Sequence, residues 1–154
     1  MKTIQIEGLK IIGLAVRTSN NNGEAASDIP ALWGRFLAEN TIAAIPNKVD
    51  DTVYCVYTNY EGDFTQPYTA LLGCKVSSLS EIPEGFTGIN IAPANYVLFT
   101  AKGNLNEGAV VKEWMNIWNS NLERAYVADF EVYGPKAANT ANAEVDIYIG
   151  IKTN

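Results

Sequence analysis

Stretches in which apolar and polar residues alternate, the period of two that marks β-strands, are interrupted in this chain by two stretches of helical period. The clearest alternation lies near the C-terminus, in Asp129-Phe130-Glu131-Val132-Tyr133-Gly134-Pro135 and in Ala143-Glu144-Val145-Asp146-Ile147-Tyr148-Ile149-Gly150-Ile151-Lys152. In a strand this puts Phe130 and Val132 on one face and Glu131 with Tyr133 on the other. Earlier, a strand over Lys10–Thr18 leads through a polar loop, Ser19–Ser27, to a helix expected over Ile29–Ala44. Asp28 is the expected cap, Pro30 suits the first turn, and Ile29, Leu32, Trp33, Phe36 and Leu37 form the apolar stripe. Two strands follow, over Thr52–Tyr60 and Tyr68–Ser77, joined by a Gly/Asp turn.

The same order then recurs. A strand over Asn95–Lys102 leads through Gly103 to a helix over Glu107–Asn121, capped by Asn106, with Val110, Val111, Trp114, Ile117, Trp118 and Leu122 as its stripe. Strands over Ala128–Tyr133 and Ala143–Lys152 complete it. Trp33 and Trp118 stand at similar places on the two helices, 85 positions apart, and Ile11 and Tyr96 keep that offset on the leading strands. Glu81–Ala94, with Pro83, Gly85, Gly88 and Pro93, reads as a connector, and a short strand over Thr3–Glu7 is expected to join the first half. The pattern predicts an α+β fold of duplicated β-α-β-β units with pseudo-twofold symmetry. Repeat 1 covers about 1–80 and repeat 2 about 90–154 of a single domain. Their antiparallel sheet carries two helices on one face, with a cleft between the halves.

Composition narrows the chemistry. The 154 residues are 47% hydrophobic, enough for a packed core. Ile4–Val16 is interrupted by Glu7 and Lys10, so neither signal peptide nor membrane helix is expected and the expected location is the cytoplasm. Seventeen acids against 11 bases give a net charge of −6 with no basic stripe, which argues against direct nucleic-acid binding. The absence of histidine excludes His-based triads and His-ligated metals. No metal site, cofactor or catalytic residue is assigned. A symmetric hairpin register places Cys55 and Cys74 roughly opposite each other, where buried free thiols are expected over a disulfide.

Glu131 is the sharpest candidate. A carboxylate beside a ring is either part of a wet sheet face or the floor of a pocket that wants a cation. If buried it needs compensation, or its pKa rises. Eight Tyr, five Phe and three Trp supply the other candidates. Tyr54, Tyr57, Tyr60 and Tyr68 crowd the first hairpin, and Tyr133 and Tyr148 lie on the last. Most such rings are packing residues, as helix-stripe tryptophans usually are. Together they suit flat, positively charged apolar molecules through cation–π contacts. Gly103–Gly108 lacks a phosphate-loop pattern.

The order of elements resembles the stand-alone effector-binding domains of the GyrI-like type, relatives of the ligand modules of Rob-like (AraC-class) and multidrug-sensing MerR-class regulators. The matching segments include Leu32-Trp33-Gly34-Arg35-Phe36, the run Val53–Asp63, Leu72-Gly73-Cys74-Lys75-Val76, the run Tyr96–Gly103, Ile117-Trp118, Asp129-Phe130-Glu131-Val132-Tyr133 and Val145-Asp146-Ile147-Tyr148-Ile149. The resemblance implies a hydrophobic cleft for lipophilic, aromatic cations, with Glu131 facing the ligand's charge. Tyr133, Trp33, Tyr57 and Trp118 are the expected companions. Such modules also occur on mobile gene cassettes. No helix-turn-helix flanks this chain, so the expected role is drug sensing or sequestration, with any transcriptional effect passing through a partner protein. Two further readings are a hydrolase using Glu131 as general base, and a module that binds a topoisomerase or a separate DNA-binding protein.

Overall fold

A computed structural model describes residues 3–152. The elements run β1 (Thr3–Ile6), β2 (Leu9–Thr18), α1 (Glu24–Ala38), α2 (Thr41–Ala44), β3 (Lys48–Thr58), β4 (Tyr68–Val76), β5 (Thr87–Ile91), β6 (Ala94–Gly103), α3 (Ala109–Trp118), β7 (Arg124–Tyr133) and β8 (Ala143–Ile151). Eight strands form one sheet in the order β1-β6-β8-β7-β3-β4-β2-β5. Every pairing is antiparallel.

The duplication is visible in this order. Strands β2, β4 and β3 of the first unit mirror β6, β8 and β7 of the second, and the units meet where β3 pairs β7. Leu9 and Ala94 open the leading strands, and Glu24 and Ala109 open the helices, an offset of 85 residues in both cases. Tyr68 and Ala143 open the last strands at an offset of 75. The first unit is longer in the middle, where it carries α2.

The outer strands are exchanged. The N-terminal strand, expected to join the first half, instead pairs with β6 of the second. In return β5 pairs with β2 of the first half. The connector reading of Glu81–Ala94 missed β5, a five-residue edge strand hidden among Pro83, Gly85, Gly88 and Pro93.

The helices also differ from expectation at their ends. Helix α1 begins at Glu24, after Gly23 in the left-handed region (φ 71°), so Asp28 is internal and caps nothing. Glu24, Ala25 and Ala26 favour helix, and the acid suits its N-terminal end. Pro30 therefore lies inside α1, where it lacks the N–H that would reach the Ala26 carbonyl. Asn40, also left-handed (φ 51°), ends the run and separates α2. In the second half the Asn104 side chain accepts from the Asn106 N–H, and Gly108 turns the chain into α3.

Both helices cover the same sheet face. Leu32 and Phe36 of α1 are buried with Ile12, Leu14, Cys55, Ala70 and Leu72. Ile117 of α3 is buried with Ala101, Val145, Ile147 and Ile149. Complete burial of a side chain such as Phe36 stabilises by about 1.5–3 kcal/mol. Trp114 and Tyr133 pack against both clusters, so the two halves of the core converge there. The opposite sheet face carries its own cluster, including Ile11, Val56, Leu71, Tyr96 and Phe130. Cys74 opposes Val53 and Cys55 opposes Leu72, so the cysteines are one diagonal step from facing each other. Both are buried free thiols. Among the described residues no helix is long and apolar enough to cross a membrane.

Candidate functional site

The centre of the sheet dictates the site. Cys55 and Glu131 are direct partners across β3 and β7. Tyr57 and Tyr133 each lie two residues further along their own strands. In an antiparallel pair that puts them on opposite sides of Glu131 and on the same, helix-covered face. The two phenols close on the carboxylate from both sides. Tyr57 donates to Oε2 at 2.9 Å and Tyr133 donates to Oε1 at 2.6 Å. A third donor descends from α3: Trp114 Nε1–H reaches Oε2 at 2.6 Å.

Glu131 is only 2% exposed, and no Lys or Arg among the described residues forms an ion pair with it. Burial pushes its carboxyl above the usual value, while the bonds from Tyr133, Trp114 and Tyr57 pull it back down. Burial also pushes both tyrosines well above the ordinary phenol value, and the neighbouring Glu131 charge adds to the shift. The phenols therefore remain donors.

A cavity of about 1020 Å³ opens above this carboxylate, between α1 and α3. All five residues singled out in the sequence border it: Trp33, Tyr57, Trp118, Glu131 and Tyr133. Trp33 stands edge-on to Tyr133 with ring centres 4.8 Å apart. Trp118 lies at the rim, 38% exposed and stacked on Phe64 at 5.9 Å. Trp114 meets Tyr57 edge-on at 5.6 Å.

Trp114, Arg124 and Asp129 were not singled out. Trp114 stands in the α3 stripe one helical turn before Trp118, but helical spacing alone does not tell a stripe residue that reaches the carboxylate from one that packs. Asp129 shares the Glu131 face by the same period of two. Its carboxylate is fully buried and accepts from Arg124 Nη2 at 2.8 Å, from the Gly150 N–H at 2.8 Å, and from the Tyr60 hydroxyl. Burial pushes Asp129 up and the Arg124 charge pulls it back down. Arg124 gave no sequence signal, because a break in the β7–β8 register between Arg124 and Asp129 brings the guanidinium back onto its own strand.

Residues 3–151 match the Cass2 family, described as integron-associated effector binding protein. An integron cassette protein from the mobile metagenome of Vibrio cholerae, VCH_CASS2, is 31% identical with a TM-score of 0.74, covering 98% of this chain and 95% of that one. YobU of Bacillus subtilis (strain 168), a candidate transcriptional regulator, is 29% identical over 147 residues, 93% of this chain and 92% of that protein. The fold also matches SAV2435, solved bound to tetraphenylphosphonium, with a TM-score of 0.77 at 17% identity, covering 98% and 93% of the two chains. The chain thus belongs to the Cass2 family of integron-associated effector binding proteins.

Proposed function

We propose that the cavity binds lipophilic aromatic cations and that Glu131 supplies the opposing charge. One observation carries this reading. Glu131 is buried at the floor of an aromatic cavity and held by three uncharged donors, with no cation from the described residues beside it. At an effective dielectric of 20, a cation 4 Å away would gain about 4 kcal/mol before desolvation. Each ring facing the charge adds roughly 0.5–2 kcal/mol. Tetraphenylphosphonium, bound by the fold relative SAV2435, is a ligand of this chemistry.

Trp33, Tyr57, Trp118 and Tyr133 act in this reading as walls and as clamps on the carboxylate. All three neighbours of the carboxylate are uncharged donors, which suits an anion held in place opposite a ligand cation. The protein then serves as a drug sensor or sequestering module, and any transcriptional effect passes through a separate partner protein.

The test is a tryptophan-quenching titration with a rhodamine-type cation, using a neutral dye of similar shape as control. Saturable, charge-selective binding that weakens by about 10–100-fold in Glu131→Gln is expected. Equal affinity of the variant, or of the neutral dye, would overturn the reading.

A further inference from the structure

A second polar group borders the same cavity. Arg124 lines it, yet its side chain is only 5% exposed. The guanidinium uses Nη2 for Asp129. Its Nε and Nη1 are shut off from water and have no hydrogen-bond partner among the described residues. Buried donors are almost always paired, so two orphans on one side chain beside a cavity call for a partner that the described residues do not supply.

The backbone is bent to hold this arrangement. The β7–β8 register shifts between Arg124 and Asp129, and within that shift Tyr126 adopts φ 54°, a left-handed conformation rare for a bulky residue. The Tyr126 ring then lies 4.5 Å from the guanidinium carbon and Tyr60 packs edge-on to it at 5.6 Å. Trp114 faces the guanidinium at 5.7 Å while its N–H holds Glu131. One indole therefore separates the two polar stations.

Resting on the cation reading of Glu131, we propose that Arg124 is a second ligand-binding station that accepts an uncharged oxygen, such as a carbonyl, carried by the aromatic cation. Asp129 already neutralises the guanidinium, so a carboxylate on the ligand would meet that acid as well as the arginine. A carbonyl can accept from one of the two orphan donors, Nε or Nη1, without that repulsion.

The test compares tetraphenylphosphonium analogues carrying one para-acetyl, para-isopropenyl or para-carboxylate group. Isopropenyl has the shape of acetyl but cannot accept a hydrogen bond. In the wild type the acetyl probe should bind about tenfold tighter than the isopropenyl probe, with the carboxylate probe weaker than the acetyl. Arg124→Lys keeps a cation for Asp129 but removes the guanidinium fork, and should bring the acetyl-to-isopropenyl ratio to about one. A fall in the carbonyl stretch of the acetyl probe on binding to the wild type gives the same answer without any variant.

Equal acetyl and isopropenyl affinities, with binding still dependent on Glu131, would overturn this inference alone. So would a ratio kept in Arg124→Lys, an unshifted carbonyl stretch, or a preference for the carboxylate. Failure of every probe to bind would overturn the cation reading and this inference together.

Discussion

The indole N–H of Trp114, on α3, donates to the Glu131 carboxylate of β7 at 2.6 Å. A helix and the centre of the sheet are thereby joined through one buried charge. Trp114→Phe keeps most of the ring and removes the donor, at a cost of about 1–3 kcal/mol to the anion. With one of three donors lost, the Glu131 carboxyl should rise further. Calorimetric titration with a rhodamine-type cation across a pH series should then show the midpoint for binding moved to higher pH. An unchanged midpoint would mean that the bond does not tune the acid.

Acidity acts on stability and on binding in opposite directions. The Glu131 value in the folded protein lies above its unfolded value, chiefly through burial. Between the two values the folded state holds the proton more tightly, so its stabilising contribution is full below the unfolded value and is lost as pH rises through the folded one. Asp129, also raised by burial, contributes with the same sign. Cation binding needs the ionised form and strengthens over the same rise. Thermal melts over a pH series that rises from the ordinary carboxylate range should show the free protein losing stability from Glu131 while the gain on adding ligand grows.

Glu131→Gln should melt at or above the wild-type temperature in the absence of ligand. The amide is nearly isosteric, its oxygen can take Trp114 and Tyr57, and its NH2 can donate to the Tyr133 oxygen. The change removes the cost of a buried charge. A calorimetric scan with and without the rhodamine cation should show a stable variant that gains little from ligand. A large loss of stability would show the carboxylate to be a structural necessity.

The neighbouring acid should behave in the other way. Asp129→Asn leaves Arg124 buried without its counter-charge, which costs about 3–5 kcal/mol. Glu61→Gln, at the Arg17–Glu61 pair whose side chains are 44% and 58% exposed, should cost under about 1 kcal/mol. Urea midpoints of the two variants measure the contrast directly.

The face shared by Glu131 and Tyr133 was legible because alternation in β7 is uninterrupted from Asp129 onward. The same period in β3 carries Tyr57 to that face. The duplication was legible from Trp33 and Trp118, whose offset also relates the leading strands. Helix ends were not, because left-handed Gly23 and Gly108 replace the side-chain caps expected of Asp28 and Asn106. Strand β5 was hidden by its flanking prolines and glycines. Arg124 was beyond any reading of periodicity, since only a break in register folds it toward Asp129.

The exchange of outer strands gives the chain a topology of crossed arms. The first unit holds the border of the second through β1, and the second holds the border of the first through β5. Severing the link between β4 and β5 would leave two fragments, each exposing an unpaired edge whose natural cover lies on the other. Reassembly of such fragments is a mutual embrace at three seams, two at the borders and one at the centre, where Cys55 meets Glu131. The carboxylate at that middle seam, and the floor of the cavity with it, is completed only when both fragments are present. A split version of this protein would thus carry its ligand pocket as the product of reunion, with neither fragment able to present it alone.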